Sequence, residues 1–230
     1  MSDRMATAVD CLARLHFTMQ QVRPAGLHDV EITALDPFLR SLLFTDGTVT
    51  RALEVQTLSP VTVDVVEQTE APVPEPAARY LDVAAATESL RRRVTIRIAG
   101  TPLAVWAESH IVPGRLPAAF LGLLDSARHG LGGSMQQLQL ESSRELLWFG
   151  LGAPPDWACT AAPPPVSPPV ATALIRLYRI LTDGRPAVLI AEAFAVQMQA
   201  GIYQLVGSDC SVVPFTNGFA PGPAADEKGP

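Results

Sequence analysis

The chain has 230 residues, enough for one domain with a sizeable core, and 48% of them are apolar, which excludes disorder of the whole chain. The net charge of −6 is spread without long runs of one sign. The one basic cluster, Arg91-Arg92-Arg93, is too short for a nucleic-acid patch, and an acidic chain gains no counterion release on DNA.

Three cysteines, Cys11, Cys159 and Cys210, stand far apart and lack metal-ligand spacing. Reduced thiols are expected, with neither a disulfide frame nor a metal site. The N-terminal segment carries Asp10 and Arg14 and lacks the apolar core of a signal peptide. The longest apolar runs, such as Leu116 to Leu124, fall well short of a membrane span, so a cytoplasmic protein is expected.

In chain order, Ala6 to Gln20 reads as a helix. Asp36 to Leu43 reads as a second, with Asp36 as N-cap and Pro37 in the first turn. Val61, Val63 and Val65 alternate with Thr62 and Asp64, which predicts a half-buried strand. Leu116 to Ala127 reads as a helix with Phe120, Leu123 and Leu124 on one face. Gln136 to Trp148 begins as helix and ends as strand. Proline concentrates at residues 72–76, in a loop over 154–169 and in the tail from Pro221. The organisation expected is a single domain over residues 1–207 and a partly disordered tail over 208–230. Strands that neighbour one another, instead of alternating with helices, predict an α+β fold with an antiparallel sheet.

One pattern occurs twice. Arg92 stands eight residues before Gly100 and Glu108 eight after it; Arg176 and Glu192 flank Gly184 at the same offsets. Two related β-hairpins follow, each with an arginine early in its first strand and a glutamate late in its second. Residues two apart on a strand share a face. Arg92 therefore lies with Val94, Ile96 and Ile98, and Glu192 with Val188, Ile190 and Phe194. A charge on an apolar face costs several kcal/mol or more unless it is paired or hydrogen-bonded. Two readings stand. Either Arg92 pairs with Glu108 and Arg176 with Glu192 as cross-strand salt bridges, or the apolar faces line a pocket in which Arg92 grips a carboxylate and Glu192 holds a hydroxyl.

Other segments carry less. The turn Asp46-Gly47-Thr48-Val49-Thr50-Arg51 could present backbone amides and the Thr50 hydroxyl, or simply begin a helix or strand. Gly130-Leu131-Gly132-Gly133 is too short for a dinucleotide loop but lets backbone approach a ligand closely. The histidines, His16, His28, His110 and His129, fit no catalytic spacing.

Three blocks together resemble the chorismate pyruvate-lyase family, in its divergent bacterial branch. They run from Leu35-Asp36-Pro37 through Gly47-Thr48-Val49-Thr50-Arg51 to the strand ending at Gln68. The second spans Arg92, Glu108-Ser109, Arg115-Leu116-Pro117 and Leu131-Gly132. The third spans Arg176-Leu177-Tyr178 through Gly184-Arg185-Pro186 to Glu192-Ala193-Phe194. The resemblance implies an antiparallel sheet with helices on it and a small-molecule substrate buried beneath helical lobes. No cofactor, metal, nucleic acid or membrane is implied. The family's carboxylate-binding arginine falls on Arg92 and its hydroxyl-facing glutamate on Glu192. A loop amide that helps bind the carboxylate falls on Leu131, beside Gly132, and the pocket wall falls on Val49 and Thr50. Arg176 is assigned to the enolpyruvyl carboxylate. Ser109 departs from an arginine found in some members, and Gly130 from a proline. The implied reaction releases pyruvate from chorismate to leave a hydroxybenzoate, most simply 4-hydroxybenzoate. The alternatives are the same fold acting on another biosynthetic substrate, and a non-catalytic module that binds aromatic acids.

Overall fold

The computed structural model of the chain describes residues 26–100, 104–125, 130–159 and 172–206. The helix expected over Ala6 to Gln20, the tail over 208–230 and most of the proline-rich loop lie outside the described residues.

Helix α1, Pro37–Phe44, starts where the sequence signals it. The Asp36 side chain accepts a hydrogen bond from the Leu39 amide at 2.7 Å, and Pro37 supplies the fixed φ of a first turn. Its Leu39, Leu42 and Leu43 are buried. Thr48 stands at the N-cap position of α2, Val49–Thr57, without a side-chain capping bond, so the turn around Val49 and Thr50 resolves into a helix start. Strand β1, Val61–Pro72, alternates in burial as expected, with a bulge between Val65 and Glu67. After α3, Glu75–Leu81, come β2, Glu88–Ile98, and β3, Ala104–Ile111. Helix α4 covers Ala118–Asp125 and starts two residues later than the expected Leu116, while residues 126 and 127 of the expected helix lie outside the described residues. It begins past Pro117, whose carbonyl accepts from the Phe120 amide. Helix α5, Leu131–Gln137, and strand β4, Ser142–Gly152, make the expected helix-to-strand change, with the helix beginning five residues earlier than Gln136. The chain continues with β5, Ala173–Thr182, β6, Arg185–Gln199, and β7, Ile202–Leu205.

The seven strands form one antiparallel sheet in the order β1-β2-β3-β6-β5-β4, with β7 paired to the end of β6. This is an α+β fold, as the neighbouring hairpins predict. The sheet has two unlike faces. On the near face, α1 and α2 pack Leu39, Leu42, Leu43, Val49 and Leu53 against Val94, Ile96, Val105, Leu174 and Phe194. Beside them α4 and α5 pack Phe120, Leu124 and Met135 against Ile111, Tyr178, Ile180 and Ile190. On the far face, α3 covers Val112, Leu147 and Leu189. A 3-10 turn at Asp156–Cys159 brings Ala158 to Trp106 and Ala193.

The two hairpins differ in register, and this corrects one expected pair. In β2–β3 the pairing runs unbroken, so Arg92 faces Ser109 and Arg93 faces Glu108. In β5–β6 the register shifts between Ile180 and Leu181, which carries Arg176 directly opposite Glu192. One added residue moves a strand's side chains to the opposite face. Glu108 therefore lies on the far face, where it accepts from Arg93 Nε at 2.8 Å, and it is not the partner of Arg92. The pair Arg176–Glu192 is present, with Arg176 Nε 2.6 Å from Glu192 Oε2.

Candidate active site

Between the near face of the sheet and the N-terminal turns of α2 and α5 lies a cleft. Arg92, Ser109, Arg144, Tyr178 and Glu192 line it from the sheet; Thr48, Val49, Thr50, Leu131 and Gly132 line it from the helices. Of the residues expected to contact a ligand, Arg92, Glu192, Val49, Thr50, Leu131 and Gly132 line this one cleft. Arg176 does not. It sits behind Glu192, outside the lining.

Three charged groups on the near face are buried: Arg92 and Arg176 are each 2% exposed and Glu192 is 6% exposed. Their solvation is largely replaced by protein groups, as the cost of burying an ion requires, although Arg176 Nη2 has no hydrogen-bond partner. Arg176 donates from Nε to Glu192 and from Nη1 to the carbonyls of Leu42 and Leu43, the latter at 3.3 Å. Those carbonyls belong to the last turn of α1, where a cation is favoured by the helix dipole. The guanidinium also lies over the Tyr178 ring, 4.6 Å from its centroid. Burial opposes the Arg176 charge, but adjacent Glu192 outweighs it and holds the Arg176 pKa above its ordinary value. Arg92 is built alike. Its Nη1 donates to Leu124 O in the last turn of α4 at 2.9 Å and to Gln68 Oε1, directly across on β1. Each repeated arginine thus caps the C-terminus of a helix laid over the sheet.

Glu192 has both oxygens engaged. Oε2 accepts from Arg176, and Oε1 accepts from Tyr178 Oη at 3.1 Å. Burial first, and the Glu192 charge second, push the Tyr178 pKa well up, so the phenol keeps its proton. Glu192 is thereby a fixed, oriented acceptor at the cleft wall.

Arg144 is the cation that sequence reasoning missed. It enters from β4 opposite Ile180, and its Nη1 donates to the carbonyl of Asp46 in the α1–α2 loop. Its Nε has no hydrogen-bond partner. Among the described residues no carboxylate forms an ion pair with it. The available signal was alternation, since Arg144 stands two residues before buried Leu146; the bulge between Leu146 and Trp148 masks that period further along. Gly132 holds the helical side of the cleft close to the loop. A Cβ there would fall 2.3 Å from Thr48 Cγ2, so only glycine permits the approach of α5 to Thr48.

An antiparallel sheet carrying helices over a cleft with two arginines and a buried glutamate defines a ligand-handling α+β domain of the chorismate-lyase-like kind. The family model described as "Chorismate pyruvate-lyase Rv2949c-like" matches residues 43–201, and the chain belongs to that family of carbon–oxygen lyases. A chorismate pyruvate-lyase of Mycobacterium leprae is 31% identical over 167 residues, covering 71% of this chain and 77% of the relative. One of Mycobacterium tuberculosis is 29% identical over 171 residues, covering 73% and 84%. The effector domain of PhnF from Mycobacterium smegmatis aligns with a TM-score of 0.51 at 12% identity, covering 65% of this chain and 88% of that one, and shares the fold. No helix among the described residues is long and apolar enough to cross a membrane.

Proposed function

We propose that this protein is a chorismate lyase that eliminates pyruvate from chorismate and leaves 4-hydroxybenzoate. The observation that carries this reading is the convergence of Arg92, Arg144 and oriented Glu192 on one cleft, which matches a substrate with two carboxylates and one hydroxyl.

Arg92 binds the ring carboxylate, assisted by the Leu131 amide at the start of α5. Arg144, not Arg176, binds the enolpyruvyl carboxylate, because Arg144 lines the cleft and Arg176 is committed to Glu192 and to α1. Glu192 accepts a hydrogen bond from the ring hydroxyl. Arg176 and Tyr178 act as positioning residues that hold that carboxylate in place.

The chemistry then needs little beyond conformation and shielding. The ring C–O bond breaks, and the hydrogen on the hydroxyl-bearing ring carbon passes to the enolpyruvyl methylene. Pyruvate leaves, and the ring becomes aromatic. Atoms balance without water, oxidant or added base. Fixing one conformer of the reactant accounts for a large part of such an acceleration, and two cations lining one cleft do that. A cytoplasmic location suits a substrate of central metabolism.

The test is incubation of the purified protein with chorismate, with the aromatic acid separated by chromatography. Formation of 4-hydroxybenzoate above the spontaneous rate supports the proposal; formation of 3-hydroxybenzoate overturns the assigned ring pose, and no turnover overturns the lyase.

A further inference from the structure

A second cleft lies on the far face of the sheet, back to back with the first and independent of how the first is read. Its volume is about 230 Å³, and its lining includes Trp106, Glu108, His110, Trp157, Leu189 and Ala191. Strand β6 is the wall between the two clefts, with Glu192 bordering both. Apolar cavities of about 150 Å³ already admit a benzene ring.

Two features distinguish this cleft from ordinary apolar packing. Trp106 is 3% exposed, and its indole N–H has no hydrogen-bond partner. Buried donors are nearly always satisfied, and an acceptor brought by a ligand would satisfy this one. The second is the polar group at the same cleft. Glu108 Oε2 is occupied by Arg93 Nε at 2.8 Å and Trp157 Nε1 at 3.1 Å. Its Oε1 lies 3.8 Å from His110 Nε2, too far for a hydrogen bond, and accepts none among the described residues. Arg93 is already shared between Glu67 and Glu108, so an added carboxylate would meet Glu108 with no uncommitted arginine or lysine beside it among the described residues.

We infer that the far-face cleft is a second binding site, for an uncharged one-ring aromatic that carries an acceptor for Trp106 and a hydroxyl donor for Glu108. The ring lies against the apolar wall of Leu189 and Ala191. The acceptor and the hydroxyl take up the two polar groups that the fold leaves available.

Calorimetric titration of the full chain with methyl 4-hydroxybenzoate tests this. One saturable site is expected. It persists in Arg144→Ala, which alters only the near-face cleft. Binding weakens at least about tenfold in Ala191→Leu, whose side chain fills the far-face cleft, and about fivefold in Trp106→Phe, which keeps the ring and removes the N–H. Circular dichroism checks that each variant is folded. Should Ala191→Leu fail to fold, Trp106→Phe decides alone. Absence of saturable binding, binding lost in Arg144→Ala, or binding unchanged in Trp106→Phe overturns the inference.

Discussion

Arg176 and Glu192 stand directly opposite one another on β5 and β6, joined at 2.6 Å with both side chains shut away from water. The pair orders more than the sheet. Arg176 reaches on to the end of α1, and Glu192 borders the cleft, so one contact ties a helix to the cleft-facing carboxylate.

Breaking the pair from one side leaves a buried charge uncompensated. Arg176→Met is expected to cost about 3–5 kcal/mol of stability, and the double variant Arg176→Met/Glu192→Gln should recover part of it. Urea unfolding midpoints of the two variants measure this; equal destabilisation in both would contradict the pairing.

Arg92 and Arg144 separate by chemistry and burial. Arg92→Lys keeps the charge but loses the planar fork, and kcat/KM for chorismate should fall about 10²- to 10³-fold. Arg144 is only half-buried, so Arg144→Ala should leave the unfolding midpoint nearly unchanged while raising KM about 10- to 100-fold. Steady-state kinetics on both variants would show whether the second carboxylate depends on Arg144.

Much of this arrangement is legible in the chain before folding. Alternation alone puts Arg92 and Glu192 among apolar neighbours, and Asp36-Pro37 marks the start of α1. What alternation does not carry is register. The shift between Ile180 and Leu181 decides that Glu192 meets Arg176 while Glu108 meets Arg93, and no local residue pattern announces it. Arg144 escaped for a related reason, because the β4 bulge interrupts the period that would have shown its face. The role of Arg176 depended on the position of α1, a tertiary contact between residues 133 and 134 positions apart.

Close approach at Gly132 is testable by paired substitution. Gly132→Ala sets a methyl against Thr48 Cγ2 and should reduce stability by about 1–3 kcal/mol while lowering activity. Thr48→Ser removes that methyl, so the double variant should regain most of the activity. If Gly132→Ala matches wild type in both assays, the contact has been misjudged.

His110 gives the fold a pH dependence. Burial, partly offset by Glu108, lowers its pKa from the ordinary 6.5, so the native state holds the neutral ring. Its folded pKa lies below its unfolded pKa, and the unfolded chain binds the proton more readily. The stability contribution is therefore full above about pH 6.5 and is lost as pH falls toward the lower, folded value. The thermal midpoint of His110→Gln should fall less steeply than that of wild type across this range.

The proposed function places catalysis in the near-face cleft. Its most direct test follows pyruvate and aromatic acid together after mixing chorismate with wild-type protein or with Glu192→Ala. Equal amounts of both products are expected from the wild type, at a rate far above the spontaneous one, and only the spontaneous rate from Glu192→Ala. Saturable binding of chorismate by the wild type without release of pyruvate, or undiminished turnover by Glu192→Ala, would contradict it.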